Sequence, residues 1–305
     1  MRHRTVAAAI ACCALLSGAV AASGSQAAQL PVVYNGLAGY AHVSATASPP
    51  GANEWSCKPS AAHPRPVVLV HGTFADMSDS WQALAPLLHN AGYCVFALNY
   101  GSYAGSGSIG IDATGDIATS AGELSSFVNR VLSTTGASQV DLVGHSQGGM
   151  MPRYYLRFDG GATKVHTLVG LAPSNHGTTL AGLFTLAGYF PGADALVGVL
   201  CPACEQQAAG SAFVTSLNSG GETVPGVDYT VIESANDEVV TPYTSAFLSG
   251  PSVTNILLQH QCPLDQGEHL SMPYDHIADA DVLNALDPSH PVTPACTPVL
   301  PVIGG

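Results

Sequence analysis

Apolar positions along this chain fall in short solid runs separated by stretches of helical spacing. Pro66-Val67-Val68-Leu69-Val70 is apolar at consecutive positions, as expected of a strand covered on both faces. Trp81, Leu84, Ala85 and Leu88 follow at helical spacing, with Pro86 predicting a kink. Further strands are predicted over 94–98, 140–143, 165–171, 229–233 and 253–259. Between them, Leu124, Phe127, Val128 and Val131 mark a helix ending near Gly136, and a second runs over 147–158. A last helix carries Ile277, Val282, Leu283 and Leu286. Strands alternating with helices predict the α/β class: a mostly parallel central sheet with helices on both faces.

One stretch breaks the alternation. Residues 180–225 carry Leu183, Phe184, Leu186, Tyr189, Phe190, Leu196, Val197, Val199 and Leu200, then a polar Gly/Ser/Asn-rich tail. A crossover helix with a long loop is the plain reading. The cluster is more apolar than one buried stripe requires, so we expect a cap-like insert over an apolar binding site, with Leu183 and Phe184 contacting substrate. No repeat or linker divides the rest, and residues 28–305 read as one domain. The Pro-rich stretch 291–301 reads as a strap held by Cys296.

Composition narrows the function. Hydrophobic residues make up 47% and charged residues 10% of the 305, enough for a sizeable core and against disorder. Eight Lys plus Arg face 21 Asp plus Glu, a net charge of −13, which lacks the basic footprint of a nucleic-acid binder. Residues 1–27 read as a signal peptide. Met1-Arg2-His3-Arg4 precedes the apolar run 5–20, and small residues at Ala19 and Ala21, or Ser25 and Ala27, offer two cleavage sites. A transmembrane anchor fits less well, because the run is Ala-rich, short and has no basic stop. Secretion and a monomeric mature chain are therefore expected.

Removing the leader takes Cys12 and Cys13 and leaves six cysteines, an even number suited to an oxidising compartment. Six cysteines allow 15 pairings, and sequence does not choose among them. The working expectation is Cys57 with Cys94, Cys201 with Cys204, and Cys262 with Cys296. A redox or zinc role for Cys201-Pro202-Ala203-Cys204 would need partners that the neighbouring sequence lacks.

The chemistry centres on Gly144-His145-Ser146-Gln147-Gly148, which follows a predicted strand and opens a predicted helix. In that context the serine sits on a strained turn with its hydroxyl above the sheet, and small flanking residues let strand and helix approach. A serine needs a base to take its proton. With such a turn, acid and histidine follow at the carboxyl ends of later strands, in the order Ser, Asp/Glu, His. Asp237 in Ser234-Ala235-Asn236-Asp237-Glu238 is the candidate acid, with Glu233 and Glu238 as rivals. His269 is the candidate base and His276 the runner-up, while His260 ends a strand too early. Oxyanion donors are expected from the backbone of Gln147 and of Thr73, after Val70-His71-Gly72. The Thr73 hydroxyl is a candidate third donor. Phe74 is an alternative donor or a wall of the acyl pocket. His71, His145 and His176 read as structural.

Together with Pro50-Gly51-Ala52-Asn53 and Cys57, these motifs resemble the secreted bacterial class 2 lipases of the α/β-hydrolase superfamily. The resemblance covers nearly all of the mature chain. It implies an α/β-hydrolase fold, a Ser146–His269–Asp237 triad, an oxyanion hole at Thr73 and Gln147, and a carboxylic ester substrate with acyl chains. That substrate would be met at a lipid–water or polymer interface, with no cofactor. Some bacterial lipases carry a structural calcium, but no clustered carboxylate set here suggests a metal. Rival readings are a short-chain carboxylesterase, a cutinase-like polyester hydrolase and a serine peptidase, the last disfavoured by the lack of a basic cluster. A non-catalytic ligand-binding protein would be marked by a missing triad member, and none is missing.

Overall fold

The computed structural model describes residues 1, 29–41, 46–103, 105–190, 192–193 and 201–305. The expected signal peptide after Met1, and Leu196, Val197, Val199 and Leu200 of the insert, lie outside these. After a short helix α1 (Gly36–Tyr40), the chain enters β1 (Val67–Val70), and Met77–Ser80 and Leu84–Asn90 form α2 and α3 before β2 (Val95–Leu98). Helix α4 (Ile117–Thr135) leads to β3 (Val140–His145), and α5 (Gln147–Phe158) to β4 (Val165–Leu171). Among the described residues, the long connection that follows carries α6 (Leu180–Tyr189), α7 (Pro202–Gln206) and α8 (Ala212–Asn218). Strands β5 (Asp228–Glu233) and β6 (Val253–Leu257), then α9 (Leu258–Gln261) and α10 (His276–Leu286), complete the order.

The six strands form one sheet in the order β2-β1-β3-β4-β5-β6, and every neighbouring pair is parallel. Parallel strands need both faces covered, and β1 shows how the solid apolar runs achieve it. Val68 and Val70 join one core with Leu124, Val128, Met150 and Leu142. Val67 and Leu69 join the other with Leu84, Leu88, Ile277 and Val282. Helices α4 and α5 thus cover one face, α3 and α10 the opposite one.

Register brings the loops of the site together. Val70 lies opposite Gly144, Gly144 opposite Gly170, Leu171 opposite Ile232 and Glu233 opposite Leu257. The segments leaving these strands therefore open on one edge of the sheet, the usual place for a ligand crevice in α/β proteins.

Two predicted elements differ. Trp81 to Leu88 is not one kinked helix. Asp76 caps α2, accepting from the backbone N–H of Ser78 and Asp79, and Asp79 accepts in return from Asp76 N–H. The chain breaks at Trp81, and Pro86 becomes the third residue of α3, where a helix has no internal acceptor for an N–H and proline costs little. The sixth strand stops at Leu257 rather than 259, because β5 ends at Glu233, its last partner. His260 consequently lies on α9. Helix α4 closes as expected, with Gly136 left-handed at φ 79°.

Candidate active site

Ser146 stands between β3 and α5 at φ 56°, ψ −123°, a backbone state that side-chain-bearing residues rarely adopt. The turn closes only with glycine around it. A Cβ on Gly144 would lie 1.8 Å from Gly148 O, and one on Gly148 would lie 2.0 Å from Val70 O. Strand, turn and helix are thus pressed together, and Ser146, 2% exposed, is held at the carboxyl edge of the sheet.

His269 is fully buried in the loop between α9 and α10, and its Nδ1 donates to Asp237 Oδ2 at 2.8 Å. Asp237 Oδ1 accepts from the backbone N–H of Val239 and Val240, both at 2.7 Å, so both carboxylate oxygens are occupied. Burial opposes charge on His269, but the adjacent Asp237 carboxylate outweighs it, with smaller help from Glu238 and Glu268, and the imidazole is shifted upward. Nε2, on the far side of the ring, is buried without a hydrogen-bond partner among the described residues. His145, next to Ser146, binds the carbonyl of His269 through Nε2 at 2.9 Å and lies ring to ring with it at 4.8 Å. Burial, then the neighbouring His269, pushes His145 well below the usual range, which keeps it neutral.

The loop after β1 closes the other side. A Cβ on Gly72 would lie 3.1 Å from Ser146 Cβ. The backbone N–H groups of Thr73 and Gln147 donate to no protein group among the described residues. Phe74 N–H, by contrast, is taken by Asp112 O at 3.0 Å, which removes Phe74 as an alternative donor. Its ring is fully buried, 6.3 Å from Phe190. His71 binds Gly72 O through Nδ1 and stacks on Tyr100 at 4.5 Å; burial pulls it down to about 4. His176 pairs with Glu222 at 2.8 Å.

Of the remaining candidates, Glu233 and Glu238 lie against the site, Glu233 sharing a side-chain hydrogen bond with Asp237, and His276 lies away from it. His276 is held at the chain end by Gly305 O and Ala295 O. Glu233 is fully buried at the end of β5 and accepts from Ser234 N–H. Glu238 accepts from Tyr189 Oη at 3.1 Å. On α6, Leu183 packs into the core, whereas Phe184 is 57% exposed. Disulfides join Cys57–Cys94, Cys201–Cys204 and Cys262–Cys296. Among the described residues no group of three or more His, Cys, Asp or Glu is placed to hold a metal, and no helix is long and apolar enough to cross a membrane.

With this geometry in view, the family model for class 2 lipases matches residues 64–277. The chain belongs to the class 2 lipase family. The match holds both Ser146 and His269, so it spans the whole constellation. A triacylglycerol lipase of Burkholderia plantarii is 34% identical over 123 residues, covering 39% of this chain and 31% of that protein. Lipase B of Pseudozyma antarctica is 35% identical over 112 residues, covering 36% and 30%. The matched part thus spans about a third of the length of these relatives. Among solved structures, Aspergillus fumigatus lipase B superposes with a TM-score of 0.57 at 22% identity, covering 82% of this chain and 57% of that one. A mature Bacillus licheniformis lipase gives 0.55 at 18%, covering 75% and 94%. Both share the fold.

Sequence reasoning missed contributors to this lipase-family site. Gln207, from the end of α7, donates through Nε2 to Thr73 Oγ1 at 2.9 Å. Tyr40 donates to Leu270 O at 3.0 Å, and Glu268 accepts from Leu270, Ser271 and Val302 N–H. Gln207 and Tyr40 sit in no motif, whereas Glu268 adjoins His269 in the Glu268-His269 pair that carries the resemblance, and the first two contacts span 134 and 230 residues.

Proposed function

We propose that this class 2 lipase-family member is a secreted serine ester hydrolase acting on acylglycerols. The observation that carries the reading is the His269–Asp237 hydrogen bond beside a serine on a left-handed turn. Ser146 Oγ attacks the ester carbonyl carbon while His269 Nε2 takes its proton. Nδ1–H is committed to Asp237, so the free Nε2 lone pair faces away from the acid. Asp237 orients the ring and stabilises the imidazolium. The Thr73 and Gln147 N–H groups receive the oxyanion, and His269 returns the proton to the departing alcohol. Water, deprotonated by His269, then releases the carboxylic acid and restores Ser146.

The names of the lipase relatives support an acylglycerol substrate, and three disulfides support export. The insert over 180–225 is read as a cap, with exposed Phe184 on its outer side. The test is the initial rate on esters of increasing acyl length, ending with an emulsified long-chain triacylglycerol and a polyester film. Ser146→Ala serves as blank and should lose on the order of 10⁶ in kcat while staying folded. Unchanged turnover in that variant would sink the mechanism. Activity confined to short soluble esters would make the protein a carboxylesterase and the cap plain core; preference for the film would make it a polyester hydrolase.

A further inference from the structure

The Thr73 side chain has an unusual hydrogen-bond environment. Two amides donate to its one oxygen: Gln147 Nε2 at 2.8 Å and Gln207 Nε2 at 2.9 Å. Both amides have their orientation fixed independently. Gln147 Nε2 also donates to the carbonyl of Ala113 at 2.8 Å, so the nitrogen must face that way. Gln207 Oε1 accepts from Ser174 Oγ at 2.9 Å, and its Nε2 reaches Ala203 O at 3.3 Å. Thr73, Gln147 and Gln207 are all buried, as is Ser174.

A hydroxyl has two lone pairs and one hydrogen. Here both lone pairs are filled, and among the described residues the hydrogen has no protein acceptor. A threonine hydroxyl ordinarily turns to suit whichever neighbour accepts. This one cannot, since among the described residues both groups that bond it donate. We propose that Gln207 is a positioning residue: with Gln147 it locks the Thr73 hydroxyl as a donor aimed beside Ser146, where the oxyanion forms. The lock comes from the insert, for Gln207 caps α7, the turn that the Cys201–Cys204 disulfide closes. The insert therefore supplies part of the catalytic electrostatics as well as cover. Preorganised donors are effective because they need no reorientation as charge develops. This inference rests on the proposed role of Ser146 and the Thr73 loop.

The experiment is a double-mutant cycle on a soluble short-chain ester with Thr73→Val, Gln207→Met and the double variant. Thr73→Val should lose about 10²-fold in kcat, with KM nearly unchanged. Gln207→Met frees one lone pair and lets the hydroxyl turn, and should lose about 10-fold in kcat. In the Thr73→Val background it should cost nothing further. Thr73→Ser should keep most of the activity. Gln207→Glu is the second variant: its carboxylate accepts from the Thr73 hydroxyl and turns the hydrogen away, so it should lose at least as much as Gln207→Met. Multiplying losses in the cycle, or a Gln207→Glu enzyme at full kcat, would overturn the proposal. Should Gln207→Met fail to fold, Gln207→Glu alone and with Thr73→Val completes the cycle. Wild-type turnover that matches Ser146→Ala would instead defeat the underlying hydrolase reading, so the two failures are told apart.

Discussion

Asp237, in the loop after β5, and Asp279, in α10, are both buried, and they are treated in opposite ways. Asp237 has two backbone N–H groups on one oxygen and the His269 ring on the other. Asp279 has no hydrogen-bond partner for either oxygen among the described residues, although it too is fully buried. Four residues before it on the same helix face, Asp275 caps α10 through one oxygen and shares a side-chain hydrogen bond with the Asp265 carboxyl. Burial first, and the charge of Asp275 second, push Asp279 well above the usual carboxylate range. The difference is one of investment in donors. In the proposed mechanism the carboxylate with three of them is the acid of the triad, whereas burial without a donor favours the protonated form of Asp279.

The largest test of that contrast is Asp237→Asn. The amide keeps the shape but turns an N–H toward His269 Nδ1, which forces the wrong tautomer. We expect kcat to fall by about 10⁴, with the fold retained. Asp237 also raises His269, and the base works only when neutral. The acid limb of the pH–rate profile should therefore move to lower pH in the variant's residual activity. A loss under tenfold would show that Asp237 is not the acid.

Asp279→Asn should act on stability alone. Its raised folded-state value means that the native state keeps a proton which the unfolded chain releases above pH ~3.9. The native fold therefore loses stability as pH rises past that point. Replacing it with a neutral amide should favour the fold more at pH 8 than at pH 4, and leave turnover within about twofold. Urea unfolding at the two pH values measures this, and equal effects at both would erase the contrast. The smallest effect is expected from Glu238→Gln. Burial, then the Glu268 charge, raises Glu238 to about 7, and its ionised form helps hold the proton on His269. Removing it should lower the acid limb of the rate profile by about a few tenths of a pH unit, readable in a rate profile between pH 5 and 9. An upward movement would refute it.

Sequence patterning showed most of this fold because a parallel sheet demands solid apolar runs, which little else explains. The serine turn was legible for a related reason: Gly144 and Gly148 leave no room for a side chain, so the constraint is written in the chain itself. His269 was separable from His276 by lying in the loop rather than close to the final helix, and the sixth strand before both proved two residues shorter than its apolar pattern. Trp81 misled because its spacing matches α3, while the short helix α2, opened by a capping box at Asp76, ends on it. Gln207 left no trace. Its role depends on an amide meeting a hydroxyl 134 residues away, and no local period records such a meeting.

The Cys262–Cys296 bridge has a consequence for timing. Alone of the three it encloses His269, within a loop of 34 residues, and loops of that size gain about 3–4 kcal/mol from closure. The strap beyond it returns to the same place, where Val299 accepts from Gln266 N–H and Val302 donates to Glu268. Ser146 and Asp237 ride on strand ends that the sheet fixes by itself. The proposed base, His269, rides on a tether that oxidation completes. On the proposed function, a chain kept reduced would carry a finished sheet and an unfinished ester hydrolase.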